Sequence, residues 1–165
     1  MHTIPGLALR SAIRWIGFVR SGRLRRSSSR LGATYRIDHG GHYQIFRETI
    51  GGDASTDPLC VLVVGFRLRS IDRNRVWHWL FQRICLLTTP FWSGFRGFQI
   101  KLWMIDPDTK NYLGIYQWAG AANARNYADP LCRVLRSVST PGSVWHVVYP
   151  DADFEQYLQE RLVTG

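Results

Sequence analysis

Two neighbouring segments near the middle of the chain constrain its fold more than any other feature. Residues 94–105 and 112–118 alternate between side chains of different character and are joined by a short polar turn, the pattern of a β-hairpin. Side chains two residues apart share a face of a strand. The first segment has the row Gln99, Lys101 and Trp103, and the second has the row Tyr112, Gly114, Tyr116 and Trp118. Large amphipathic rings beside one lysine and a glycine indicate the lining of a ligand pocket.

The basic charge of the chain is concentrated at its N-terminus. The 165 residues carry a formal net charge of +9, and residues 1–37 contain eight arginines and no acidic residue. The remaining residues hold 13 basic and 12 acidic side chains, so that part of the chain is nearly neutral. Nucleic-acid-binding domains carry basic patches on the folded body, and the arginine-rich stretch lacks interleaved aromatic residues. We therefore expect no nucleic-acid partner.

Residues 7–30 allow two interpretations that remain open. Leu9, Ile13, Ile16 and Val19 recur at helical spacing, which predicts a basic amphipathic helix. Such a helix binds an anionic membrane surface or a partner as a peripheral contact. Alternatively, it packs on the domain or on a second subunit. No run approaches the roughly 18 to 20 apolar residues of a membrane span, and no cleavage site follows, so we expect a cytoplasmic protein.

Neither cysteines nor histidines are spaced for a metal site. Cys60, Cys85 and Cys132 lie far apart, each within an apolar run, which predicts reduced and buried thiols. His39 and His42 flank a turn and have no acidic or cysteine partner at ligand spacing. Motifs of phosphate-binding loops, dinucleotide folds, serine hydrolases and zinc proteases are also absent from the sequence. We expect no metal ion.

The order of the predicted elements indicates an α+β fold. They are a buried strand over 59–68, a helix over 73–87, the central hairpin, a helix over 121–138 and a strand over 144–149. Pro130 lies inside the second helix and predicts a kink or a restart there. The order βαββαβ is that of the ferredoxin-like fold with a four-stranded antiparallel sheet.

Four parts follow from this pattern. They are a basic amphipathic arm (1–32), a β-hairpin and linker (33–58), the ferredoxin-like domain (59–150) and a C-terminal helix (151–165). Two helices can cover only one face of a four-stranded sheet. We expect the other face, with its aromatic rows, to meet a second copy in a homodimer.

Residues 59–150 resemble monooxygenases of the dimeric α/β-barrel superfamily, relatives of the antibiotic biosynthesis monooxygenases. The resemblance rests on the hairpin 94–118, on the alanine-rich helix with Tyr127 and Ala128, and on the closing strand 143–148. It implies a homodimer in which each subunit encloses a hydrophobic pocket for an aromatic or polyketide-like molecule. Members of that superfamily oxidise anthrone-like substrates with dioxygen and no cofactor, close polyketide rings, or degrade haem. These motifs are structural, so they support the fold better than the reaction.

Oxygenation without a cofactor and ring closure make the same chemical demand. A base removes a proton from the substrate, and donors in a dry pocket stabilise the resulting oxyanion. His146 on the last strand is the candidate base, Tyr116 the candidate donor, and Lys101 or Gln99 a further donor. The side chains expected to contact the substrate are Trp103, Tyr112, Trp118, Gln99 and His78.

The sequence thus predicts a cofactor-independent enzyme of secondary metabolism that oxygenates or cyclises an aromatic or polyketide-like molecule. The alternative is a non-catalytic dimeric module that binds a hydrophobic ligand or haem and is tethered by its basic N-terminal arm. A histidine and a tyrosine facing one cavity favour the enzyme. Aromatic side chains that fill the sheet face completely favour the binding module.

Overall fold

The computed structural model describes residues 25–27, 29–51, 56–69 and 96–163. These residues form seven strands and two helices. The strands are β1 (Arg25–Ser27), β2 (Thr34–Arg36), β3 (His42–Ile50), β4 (Leu59–Phe66), β5 (Phe98–Ile105), β6 (Tyr112–Ala119) and β7 (Trp145–Pro150). The helices are α1 (Ala121–Val138) and α2 (Phe154–Gln159). The helix predicted over 73–87 lies outside the described residues. Of residues 7–30, for which a helix was also predicted, only 25–27, 29 and 30 are described.

All seven strands belong to one antiparallel sheet. Six follow the order β1-β3-β5-β6-β4-β7, and β2 pairs with β3 beside this path. The strands of residues 59–150 take the order β5-β6-β4-β7, which is the ferredoxin-like order, so the predicted α+β class is confirmed. The predicted number of strands, four, was too small. The alternating segment His42–Ile50 pairs with the edge of β5 and extends the sheet.

Strand β4 is an inner strand of the sheet. It lies between β6 and β7, and six of its eight residues are buried. Because both of its faces are covered, its sequence is a continuous apolar run and not an alternating one. The predicted buried strand is therefore confirmed, although it ends at Phe66 and not at residue 68.

Helix α1 covers one face of the sheet, which we call the helix face. Its buried side chains are Cys60, Leu62, Val64, Phe98, Tyr116 and Trp118, and α1 packs on them through Ala124, Tyr127, Ala128 and Leu131. The aromatic row of β6 thus lies partly beneath a helix. The expectation that this row occupies an uncovered face was wrong.

Helix α2 packs on the other face, which we call the opposite face. Phe154, Tyr157 and Leu158 of α2 join Val61, Val63, Leu102, Met104 and Ile115 in one core, together with Tyr35 and Tyr43. We expected a second copy to cover the face left free by the helices, whereas this face is covered within the chain. The reason is that α2 begins just after β7, and its apolar side chains repeat at helical spacing.

Helix α1 passes through Pro130 without a restart. It begins after Gly120, whose φ of 87° lies in the left-handed region, and continues to Val138 as one element of 18 residues. Pro130 cannot donate a hydrogen bond to the carbonyl of Asn126, but Asn126 is exposed, so water can satisfy that carbonyl. The sequence predicted either a kink or a restart of the helix at Pro130, and the restart does not occur.

The sheet curls strongly enough to bring distant strands together. His39, in the turn between β2 and β3, stacks on Trp145 of β7 with ring centroids 4.1 Å apart and an interplanar angle of 13°. Strand β3 is separated from β7 by three strands in the sheet order. The turn therefore reaches across the opposite face and closes it at one end.

Candidate functional site

Three of the predicted site residues meet on the helix face. Lys101 lies directly opposite Tyr116 in the pairing of β5 with β6, and Trp103 is two residues further along β5. The Lys101 ammonium Nζ is 3.1 Å from the centroid of the Trp103 ring and 4.7 Å from that of Tyr116. Lys101, Trp103 and Tyr116 are 5%, 9% and 2% exposed. The group is a buried cation held against two aromatic faces.

Strand β3 adds two polar side chains that the sequence analysis did not single out. The Trp103 indole Nε1 donates a hydrogen bond of 3.2 Å to Thr49 Oγ1, and the Arg47 guanidinium carbon lies 5.5 Å from the Trp103 ring centroid. A β-bulge between Ile45 and Arg47 shifts the register so that Arg47 is opposite Trp103. The alternation of β3 was visible in the sequence, but its pairing with β5 and the position of the bulge were not.

Tyr116 owes its position to Gly114. A Cβ atom on Gly114 would lie 2.7 Å from Cε2 of the Tyr116 ring and 2.9 Å from its hydroxyl oxygen. The ring therefore lies over the glycine, and its hydroxyl reaches the position beside Trp103, the residue opposite Gly114 on β5. The glycine that was predicted to leave room in the pocket lining leaves it for Tyr116.

Tyr127 of α1 completes this group. Its hydroxyl donates a hydrogen bond of 3.2 Å to the Tyr116 hydroxyl oxygen, and the two rings meet edge to face with centroids 5.3 Å apart. Both side chains are buried. The sequence analysis used Tyr127 only as a helix residue. Its helical spacing indicated a core position but not the hydrogen-bond partner of its hydroxyl.

His146 lies on the helix face but not in the lysine cluster. The strand pairings align Trp103, Gly114, Val64 and His146 in one row across the sheet. His146 is two strand spacings, about 10 Å, from Gly114. It is half-buried, and its Nδ1 is 3.5 Å from the Cys132 sulfur of α1. The candidate base therefore stands at the far end of the row from Trp103.

The remaining predicted contacts are dispersed. Tyr112 stacks on Phe66 with centroids 5.5 Å apart, and Trp118 is fully buried between Phe98 and Tyr127. Gln99 is at the β-bulge between Phe98 and Ile100 and is half-buried. His78 lies outside the described residues. Of the eight predicted site residues, the structure thus brings Lys101, Trp103 and Tyr116 into one cluster.

The thiols between α1 and the sheet are kept in their neutral form. Burial raises the pKa of Cys132 even though Arg136 acts in the other direction. Burial likewise raises the pKa of Cys60 to about 11, with Arg125 opposing the shift. A neutral thiol is a poor nucleophile. Cys132 therefore acts as a hydrogen-bonding neighbour of His146.

A surface groove of about 610 Å³ lies away from this cluster. Its lining includes Arg36, Asp38, His42, Glu160 and Arg161, and none of the predicted site residues. Arg161 pairs with Asp38 at 2.6 Å across it, which links the C-terminal segment to the turn after β2. The charges of the groove largely neutralise each other.

The described part of the chain holds no group of three or more side chains suited to bind a metal ion. Neither of the two described helices has the length and apolar character needed to cross a membrane.

Comparison with known proteins supports the fold. No protein-family model and no curated protein matches the chain. Among solved structures, the heme-degrading enzyme of Listeria monocytogenes is similar over 84% of this chain and 93% of that chain, with 10% identity and a TM-score of 0.51. At this identity the similarity establishes a shared ferredoxin-like fold.

Two further solved structures are similar at lower TM-scores. A ferredoxin-fold protein from Listeria monocytogenes 4b F2365, described as related to antibiotic biosynthesis monooxygenases, shows 12% identity, covering 85% of this chain and 89% of its own, with a TM-score of 0.46. A monooxygenase-like protein from Listeria innocua shows 15% identity, covering 72% of this chain and 68% of its own, with a TM-score of 0.45.

Proposed function

We propose that the chain is a monooxygenase-like enzyme that binds a flat aromatic molecule bearing an ionisable hydroxyl or enol on the helix face. The observation that carries this proposal is the buried ammonium of Lys101 between the rings of Trp103 and Tyr116. A buried cation is costly unless it interacts with charge or with aromatic faces. Groups kept in this way often belong to binding or catalytic sites.

The cationic groups of the cluster suggest a class of ligand. Lys101 and Arg47 both place a cationic group near the ring of Trp103. A ligand with a negatively charged oxygen would be stabilised here, and its rings would pack on the aromatic side chains. Because the cluster is shielded from water, the attraction between these cations and an oxyanion is stronger than at the surface.

The roles of the residues follow from this class. Lys101 and the Tyr116 hydroxyl stabilise the oxyanion, and Trp103 contacts the aromatic rings. His146 remains the candidate base expected from the sequence, and it lies on the same face as the cluster. In an oxygenation, the resulting electron-rich anion would react with dioxygen. In a ring closure, it would attack a carbonyl of the same molecule.

Binding of a model ligand tests the proposal. We would titrate the full chain with 2-naphthol, which can ionise, and with 2-methoxynaphthalene, which cannot, and follow tryptophan fluorescence. We expect K101M to weaken binding of ionised 2-naphthol at least about tenfold, with little effect on the methoxy compound. The chain has two lysines, so K110M in the exposed β5–β6 turn is a matched control. Binding of 2-naphthol that is unchanged in K101M would contradict the proposal.

Turnover is a separate measurement. We would supply anthrone and measure oxygen consumption by the wild-type chain and by H146A. An oxygenase would consume oxygen with the wild-type chain, and H146A would be slower by about 100-fold if His146 is the base. A wild-type chain that binds 2-naphthol but never turns over anthrone would point to a different reaction.

Haem is the second candidate ligand, because the fold is shared with a heme-degrading enzyme. His146 turns Nδ1 toward Cys132, so Nε2 is the atom that could bind iron, and Lys101 and Arg47 could pair with carboxylates. A histidine for the iron and cations for the carboxylates are the kinds of group that haem requires. A haem titration followed by visible absorbance tests it, with H146A expected to change the spectrum of the complex.

A further inference from the structure

The outer edge of strand β7 is a surface that the proposed function does not use. We propose that β7 pairs antiparallel with β7 of a second copy of this chain, so that the two sheets join into one continuous sheet. The contact is made by the edge of the sheet and leaves both of its faces as they are. The inference is independent of the proposed function, because it needs no ligand.

One side of β7 is open within the part of the chain that the structure describes. The strand is last in the sheet order and pairs there with β4 alone. Its residues from Trp145 to Tyr149 are half-buried, although Trp145 and Tyr149 pack on the core of the opposite face and Val148 packs on that of the helix face. Because side chains on both faces contact a core and are still partly exposed, their exposure lies along the edge.

This edge lacks the features that keep edge strands apart. Proteins protect such strands by short length, by β-bulges or by charged side chains, especially lysine. Strand β7 has six residues without a lysine, an arginine or an acidic side chain, and it pairs with β4 without a bulge. The strand at the other end of the sheet order, β1, has three residues. A longer apolar edge offers its main-chain N–H and C=O groups to another strand.

Two-fold symmetry restricts how two copies of β7 can pair. Residues directly opposite each other in an antiparallel pair share a sheet face, so a two-fold axis perpendicular to the sheet must pass beside a residue and not between two residues. With the axis at Val147, all five residues from Trp145 to Tyr149 find a partner. Pro150, which has no N–H group to donate, lies outside these pairs.

The sequence of β7 suits this register, which is why we assign the edge to a second copy. Its side chains are aromatic at both ends and valine at the centre, so the symmetric pairing places Trp145 of each copy opposite Tyr149 of the other and Val147 opposite itself. Cross-strand aromatic pairs stabilise antiparallel sheets. Both rings are already held within their own chain, Trp145 by His39 and Tyr149 by Tyr157, so pairing costs little side-chain freedom.

Charge reversal at Val147 tests the pairing. We would measure the mass of the full chain by sedimentation velocity at increasing concentration, and we expect a dimer. In V147K or V147E two like charges would face each other at the axis, and we expect either variant to weaken the dimer at least about tenfold. An equal mixture of the two variants should restore the dimer, because the lysine of one copy then faces the glutamate of the other.

The matched control is V134K, which changes an exposed valine of α1 and should leave the dimer unchanged. The mixture also separates pairing from folding, because a variant that merely unfolds is not restored by its counterpart. A monomeric wild-type chain would overturn the proposal. So would a dimer that persists in V147K and V147E, since it would use another surface.

Hydrogen exchange gives a second measurement on the wild-type chain, without any substitution. Pairing engages main-chain N–H groups on the outer side of β7, so exchange within 145–149 should slow as the protein concentration rises through the dimer range. Exchange within β4, which lies between two strands in the same chain, is the internal reference. Exchange within 145–149 that does not depend on concentration would overturn the proposal.

Discussion

The Tyr116 side chain lies where a side chain on Gly114 would be. Its hydroxyl oxygen is 2.9 Å from the position that a Cβ atom on Gly114 would take. The two residues are neighbours on the same face of β6. Because Gly114 has no side chain, the Tyr116 ring can lie over it. This relationship sets the position of the hydroxyl that the proposed function uses.

Substitution G114A should displace the Tyr116 ring and break its hydrogen bond with Tyr127. We expect a loss of stability of about 1–3 kcal/mol from overpacking, and loss of the selectivity for ionised 2-naphthol. Chemical denaturation and titrations with 2-naphthol and 2-methoxynaphthalene measure the two effects. The matched control is G65A, whose Cβ would meet Trp145 on the opposite face at 2.3 Å. It should destabilise the chain without changing the selectivity for ionised 2-naphthol, and equal effects of both variants on that selectivity would contradict the assignment.

A buried ion pair on the opposite face should be important for stability. Glu48 on β3 is fully buried, accepts a hydrogen bond from Ser29 and pairs with Arg30, which also contacts Glu155 of α2 at 2.5 Å. Burial lowers the pKa of Arg30, but the two carboxylates outweigh it and the pKa is raised. Substitution R30M leaves the Glu48 charge buried without its cation, and we expect a loss of about 3 kcal/mol.

The neighbouring pair provides the control for that measurement. Glu155 is largely exposed, so E155Q should cost no more than about 1 kcal/mol in urea unfolding. A small loss for R30M, close to that of E155Q, would show that the Glu48 carboxylate is stabilised by other groups.

Asp106 should make the stability depend on acidic pH. Burial alone would raise the pKa of Asp106, but the backbone N–H groups of Thr109 and Asp108 donate to its carboxylate and lower the pKa overall. A lowered pKa in the folded state contributes stability above the unfolded value of about 3.9 and loses it as the pH falls through the folded value. Substitution D106N should therefore destabilise the chain at pH 7, with a difference from wild type that shrinks in acid.

Urea unfolding at neutral pH and at several acidic pH values measures this dependence. D108N is the matched control, because Asp108 is exposed in the same turn. A difference between D106N and wild type that stays constant with pH would mean that the charge of Asp106 is not responsible.

Helix α2 should keep the opposite face from associating with other copies. Leu158 is buried against that face, so L158E should release α2 and expose an apolar surface. We expect light scattering to show larger species or aggregates for L158E, and not for the exposed-position control Q159E. The homodimer expected from the resemblance remains a prediction. If it forms with α2 in place, it uses a surface other than the opposite face.

Local sequence patterns predicted the individual elements of the fold. The apolar run of β4, the alternating segments of the hairpin and the helical spacing over 121–138 each depend on neighbouring residues, and each predicted its element correctly. The pairing of Lys101 with Tyr116 follows from the short turn between β5 and β6. That is why part of the candidate cluster was visible in the sequence.

The rest depended on contacts between residues far apart in the chain. Arg47 and Thr49 reach Trp103 only because β3 joins β5 with a bulge, and Tyr127 reaches Tyr116 only when α1 folds back onto the sheet. The sequence by itself determined which segments become strands and helices and which side chains share a strand face, because these follow from spacing along the backbone. The tertiary structure decided which face each helix covers and which hydroxyl meets Tyr116, because sheet pairing, curl and helix docking satisfy the whole chain at once.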